Sequence, residues 1–237
     1  MPEYGHHSAP EADPATSASP LVYAIGDIHG SLQKLCDLIG RCERHADGRP
    51  AAFVFLGDYI DRGPDSAAVI DTVMNLQLRL KHRVIALKGN HEAVAIDVAG
   101  GTTTPDIWLR EGGAATLRSY GVSSARELPS EHVAWMRSLP LRHDDGRRFF
   151  VHAGIDPEKP LDAQSEHDLI WIREPFLSDR RDHGRLIVHG HTPQSAGMPD
   201  LRSNRLNLDT GAVFGGPLTA AAFAAAQRDP IGFLQVD

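Results

Sequence analysis

Beyond Leu21 the chain repeats one pattern, a short apolar run that breaks into glycine and polar residues. It occurs in LVYAIGDIHG (21–30), AAFVFLGDYIDRG (51–63), RVIALKGNHE (83–92), RRFFVHAG (147–154) and RLIVHGHT (185–192). Short β-branched or aromatic runs closed by Gly predict strands. Between the first three lie stretches with helical spacing. Leu32, Leu35, Leu38 and Ile39 share one face of a helix that Ser31 is placed to cap. Ala68, Val69, Val73 and Leu76 share a face of a second helix, opened by Asp65 or Ser66. Alternation of this kind predicts βαβ units and an α/β fold with helices on the faces of its sheet.

The segment 93–146 is more helical and less regular. In WLREGGAATLRSYG (108–121) the pair Gly112-Gly113 interrupts or ends a helix, and Trp108, Leu117 and Tyr120 supply its packing. LNLDTGAVFGGPLTAAAFAAA (206–226) reads as strands with turns at Gly211 and Gly215-Gly216, although its alanine-rich end favours helix by propensity. Residues 1–20 are rich in Pro, Ala, Ser and acidic residues and read as a disordered leader, leaving 21–237 as one domain.

Composition narrows the partners. Of 237 residues, 41% are hydrophobic and 23% charged, as in an ordinary globular protein. With 31 acidic residues against 24 basic, the net charge of −7 argues against nucleic acid as a partner. Cys36 and Cys42 form no CxxC pair and read as free thiols on a helix, which suits a reducing compartment. No apolar run approaches the ~18 residues that span a bilayer, and no secretory signal is visible, so a cytoplasmic protein without membrane contact is expected. Nothing suggests a large exposed interface, so a monomer is expected.

The chemistry sits where the apolar runs end. They supply Asp27 and His29, then Asp58, then Asn90 and His91, then His152, then His189 and His191. Ligands of open α/β sheets bind beyond the carboxyl ends of the strands, so these residues are expected to converge. Carboxylate, amide and imidazole donors without thiolate suit Mn²⁺, Fe or Zn²⁺ at a catalytic centre. They are too many for one metal with an open position and fit two metals that share a carboxylate.

In family order, GDIHG (26–30), GDYIDRG (57–63), GNHE (89–92), HAG (152–154) and GHT (190–192) resemble the motif set of the metallophosphoesterase superfamily. Within it they resemble the bacterial and phage serine/threonine phosphoprotein phosphatases, over about residues 23–216. The resemblance implies a β-sandwich flanked by helices, with a dinuclear site at the strand carboxyl ends. It implies Asp27 and His29 on one metal, Asp58 bridging, and Asn90, His152 and His191 on the other, with His189 beside the site. It also implies His91 as general acid oriented by Asp61, and Arg62, Arg173 and Asn90 on the phosphoryl oxygens. Asp209 in LDTG resembles a late motif with a supporting role.

The implied reaction is hydrolysis of a phosphoprotein or small phosphoester by water activated between two divalent ions, Mn²⁺ first among them. Symmetrical diadenosine tetraphosphate hydrolysis is the nearest alternative. Relatives of that kind tend to carry GNHD and to lack the Asp of DRG, whereas this chain has Glu92 and Asp61. A nuclease would carry a second histidine where Pro193 stands. A non-catalytic phosphate-binding scaffold would lack a ligand or the acid, and none is missing.

Overall fold

The computed structural model describes residues 20–80 and 83–237; the expected leader falls almost entirely outside them. Two five-stranded mixed sheets face one another. The first has β1 (Leu21–Ile25), β2 (Ala51–Phe55) and β3 (Val84–Ala86) in parallel, with β9 (Leu218–Ala224) and β10 (Gly232–Val236) antiparallel beyond β1. In the second, β5 (Arg148–Val151), β6 (Leu186–His189) and β8 (Arg205–Asn207) are parallel. Antiparallel β4 (Arg142–Asp144) and β7 (Asp200–Leu201) edge it.

Alternation along each strand divides the core. Ala24, Val54 and Leu56 of the first sheet pack on Phe150, Val188 and Leu206 of the second, which makes the sandwich. Tyr23, Ile25, Phe53 and Phe55 point the other way, onto α1 (Leu32–Ala46) and α2 (Ser66–Leu80). Phe149, Val151 and Ile187 pack on the outer layer that contains Leu169 and Phe176. With both faces covered, the strands read as near-continuous apolar runs, which is why the sequence pattern was so plain. No described helix is long and apolar enough to cross a membrane.

Several expectations change in detail. The helix after Ser31 begins at Leu32, but the Ser31 side chain makes no capping bond. The alanine-rich stretch is strand, as its reading has it and against its helix propensity: β9 pairs with β1 on one side and β10 on the other, and Ala221 lies in the inter-sheet core. Two ladders outweigh a helix propensity of a few tenths of a kcal/mol per residue. The third apolar run yields only a three-residue strand, and Asn90 and His91 open α3 (Asn90–Gly100) instead of ending a strand. After it, α4 (Pro105–Trp108) and α5 (Ala114–Tyr120) are joined through a π-turn broken at Gly112, whose φ is 118°. Trp108, Leu117 and Tyr120 pack this excursion against the helical side of the first sheet.

Candidate metal centre

Asp27, His29, Asp58, Asp61, Asn90, His91, His152 and His191 are all buried, and their side chains gather at one end of the sandwich. The backbone does not reach this arrangement by extended strands. His29, Asp58, Asp61, Arg62 and His191 have φ of 47°, 55°, 72°, 70° and 66°. Among described non-glycine residues only Asp47 joins them in the left-handed region. Each such residue costs on the order of 1–3 kcal/mol, and strain of this kind collects at functional sites. Asp27 and His29 therefore reach the site through a turn, not through the two-residue repeat of a strand.

Asp58 is the hub. Its Oδ2 lies 3.4 Å from His29 Nε2 and its Oδ1 lies 3.4 Å from His152 Nε2. On the His152 side, Asn90 Oδ1 is 2.8 Å from His152 Nε2 and 2.9 Å from His191 Nδ1. Two donor groups result, His29–Asp58–His91 and Asp58–His152–His191, each with ligand atoms mutually within 4.8 Å. One carboxylate thus faces both.

The imidazoles are oriented for this. His29 donates Nδ1–H to the Ile60 carbonyl at 2.7 Å, and His152 donates Nδ1–H to the Leu56 carbonyl at 2.9 Å. A carbonyl only accepts, so each ring keeps a lone pair on Nε2, turned to Asp58. Burial pushes His29 and His191 down to about 3 and lowers His152, favouring the neutral imidazole that can bind a metal. Asp27, by contrast, is raised well above the carboxylate range by burial and by the neighbouring Asp209 and Asp58 carboxylates. Crowded buried carboxylates need cations. The donors, their tautomers and their charge fit two divalent ions.

Other predicted residues fall around this centre. Asp27 is outside both donor groups, and both its oxygens accept the His191 backbone N–H, at 3.1 and 3.2 Å. A Cβ on Gly190 would sit 2.0 Å from Asp27 Oδ1, so only glycine admits this approach. Asp209 stands behind Asp27, pushed up to about 6 chiefly by burial. His91 Nδ1 donates to Asp61 Oδ2 at 2.7 Å. Burial opposes protonation of His91, but the charge of Asp58 and the Asp61 bond outweigh it and raise its pKa. Arg62 reaches His29 Nε2 at 2.6 Å and lies 5.4 Å from the Phe214 ring centre. Arg173 reaches the His191 carbonyl at 3.5 Å. His189 is in neither donor group; its ring packs on Phe176 with centroids 5.0 Å apart, and burial takes it to about 3.

Above the centre opens a cleft of about 340 Å³. Asp58, Asn90, His91 and His191 line it beside Arg62 and Arg173, and Ile107, Trp171 and Phe214 contribute exposed apolar surface.

Sequence reasoning gave Glu92 no structural task. Its buried carboxylate accepts N–H bonds from Asp58, Tyr59 and Gly89 at 2.8–2.9 Å, bracing the left-handed turn at Asp58. The available signal was its place in GNHE, two residues after Asn90, although the Asp58 turn it braces lies 34 residues away in the chain. Thr116, which donates to Asp61 Oδ1 at 2.6 Å, lay in the irregular stretch where no strand end pointed to it.

Comparison with known proteins agrees with this geometry. Residues 20–220 match the calcineurin-like phosphoesterase family. Serine/threonine-protein phosphatase 1 of Salmonella typhimurium is 32% identical over 212 residues, covering 84% of this chain and 90% of that protein. The asymmetrical bis(5'-nucleosyl)-tetraphosphatase PrpE of Anoxybacillus flavithermus is 30% identical over 223 residues, covering 84% and 89%. A crystal structure described as a putative diadenosine tetraphosphatase superposes with a TM-score of 0.68 at 22% identity, covering 92% of this chain and 97% of that one, a likeness of fold. A carboxylate shared by two imidazole-bearing donor groups is what a dinuclear centre requires, and with that family match the chain belongs to the calcineurin-like metallophosphoesterases as a metal-dependent phosphoesterase.

Proposed function

We propose that the chain is a phosphomonoesterase of phosphoproteins, hydrolysing phosphoserine and phosphothreonine. The observation that carries this reading is the buried His91–Asp61 pair, 2.7 Å apart at the wall of the cleft. A seryl or threonyl oxygen leaves poorly as an alkoxide and needs a proton, whereas a nucleotide leaves readily without one. A positioned acid contributes about 10²–10⁴-fold to such a step.

In this reading Asp27, His29 and Asp58 would hold one cation, and Asp58, Asn90, His152 and His191 the other. Divalent ions bound there, Mn²⁺ first, would supply an activated water and positive charge to offset the phosphoryl oxygens. Arg62 and Arg173 bind the phosphoryl oxygens with planar forks, helped by the Asn90 amide. His91 keeps Nδ1 on Asp61 and gives the proton from Nε2 to the departing oxygen.

A second reading, hydrolysis of dinucleoside tetraphosphates, is favoured by the likeness to PrpE and to the putative diadenosine tetraphosphatase. Kinetics in Mn²⁺ on a phosphoserine peptide, a phosphotyrosine peptide and diadenosine tetraphosphate decide between them. The proposal expects the highest kcat/KM on the phosphoserine peptide. A tenfold preference for the dinucleotide puts the second reading in its place. A chain that releases nothing even from para-nitrophenyl phosphate, at any Mn²⁺ concentration, is a binding scaffold.

A further inference from the structure

The carboxylate of Asp61 is fully enclosed, and each of its oxygens is accounted for. Oδ2 accepts from His91 Nδ1 at 2.7 Å and from the Trp108 indole N–H at 2.9 Å. Oδ1 accepts from the Thr116 hydroxyl at 2.6 Å. The same hydroxyl accepts the Asp61 backbone N–H at 2.9 Å and lies 3.1 Å from Ser66 Oγ. Two of the three side-chain donors therefore come from the helical excursion between Pro105 and Tyr120, outside both sheets.

The excursion is shaped for this contact. Trp108 is 1% exposed, and its indole lies directly on Gly113, where a Cβ would come within 2.4 Å of the ring. The break at Gly112 brings its carbonyl to the Arg62 backbone N–H at 3.1 Å. The pair of glycines thus seats the indole and ties the excursion to the loop that carries Asp61 and Arg62. A hydrophobic contact alone would have been served by Phe or Leu. A buried tryptophan whose N–H meets a carboxylate oxygen also fixes where that carboxylate points.

We propose that Trp108 and Thr116 are positioning residues for proton delivery. Together they hold Asp61 so that Oδ2 faces His91 Nδ1 and the imidazole presents Nε2 to the leaving oxygen. Without the indole, Oδ2 can turn about the Cβ–Cγ bond, and the ring loses its aim. Misplacement of a catalytic group by about 1 Å costs on the order of 10²-fold. The proposal rests on His91 acting as the acid, and its test separates the two ideas.

The test uses the full chain with Mn²⁺ and compares kcat on a phosphoserine peptide with kcat on para-nitrophenyl phosphate, whose leaving group departs without a proton. His91→Asn is the reference for loss of the acid. Trp108→Phe, which keeps an aromatic ring but removes the indole N–H, is expected to lower kcat on the peptide about tenfold and on the nitrophenyl ester no more than about threefold. Thr116→Val is expected to skew the two in the same direction, and Thr116→Ser to restore the parent ratio. Thr116→Val changes one hydroxyl for a methyl, so it answers even if the indole variant fails to fold. Equal losses on both esters, or none, in a folded variant whose His91→Asn counterpart is selective, would overturn the assignment of Trp108 and Thr116. A His91→Asn variant that is itself unselective refutes the acid, and this proposal with it.

Discussion

Gly190 lets Asp27 and the His191 segment approach by the lack of a single carbon, so Gly190→Ala is a sharp structural perturbation of the centre. The added Cβ would lie 2.0 Å from Asp27 Oδ1 and 3.1 Å from its Cγ. Ordinary carbon contacts lie near 3.5 Å, so one partner has to move by more than about 1 Å. Neither moves freely. The Gly190 N–H is bonded to the His152 carbonyl at 2.8 Å, and the Asp27 carboxylate is held by the His191 N–H. The displacement is therefore expected to pass to Asp27 or to His191. Overpacking of this kind costs about 1–3 kcal/mol. At about 2–4 °C per kcal/mol for a chain of this size, melting should fall by roughly 2–12 °C. Displacing Asp27 or His191 by about 1 Å is expected to cut kcat/KM on para-nitrophenyl phosphate on the order of 10²-fold. Calorimetry and steady-state kinetics on the same preparation read both quantities. A variant that melts with the parent and keeps activity within threefold refutes the claim that this close approach aligns the centre.

Gly40, inside α1, is the counterpart: its added Cβ would meet only the flexible Arg44 guanidinium, at 3.3 Å. Gly40→Ala is expected to stabilise by up to about 1 kcal/mol, read by urea denaturation. Asp58→Asn leaves one amide oxygen where two carboxylate oxygens served His29 and His152, so turnover should nearly vanish with a loss of bound metal, read by atomic absorption. For the metal-free chain, burial pushes His189 from an ordinary 6.5 down to about 3 by disfavouring its charge. A proton therefore binds the unfolded chain more readily than the folded one between those values. Stability is full above about pH 6.5 and falls as pH drops, by as much as roughly 4 kcal/mol by pH 3 from this group. His189→Leu should flatten that acid slope, read by urea denaturation across the pH range. An unchanged slope refutes the buried-neutral description of the ring.

Much of this protein was legible in order along the chain. Apolar runs covered on both faces stand out without knowledge of the fold, and the polar residues that end them mark where the loops turn. Burial of both faces is a local property of each strand, which is why β1, β2, β5 and β6 appeared where the pattern put them. The loops after them carried His29, Asp58, His152 and His191, which the fold brings into the two donor groups, with Asp27 beside them. Where the deciding contact was distant, the sequence was mute. The alanines of β9 read as strand against their own helix propensity, and the pairing with β1 and β10 is what makes that reading hold. Glu92 acquired a task only when the Asp58 turn came within reach of its carboxylate. Trp108 and Thr116 lie more than forty residues from Asp61 in sequence and touch it only after the excursion folds back over the sheet end. Residue order determined which chemical groups the chain brings to its loops, because periodicity acts on neighbours. Which oxygen faces which nitrogen was decided by tertiary structure alone, because hydrogen bonds and close packing act between atoms a few ångströms apart whatever their separation in the chain.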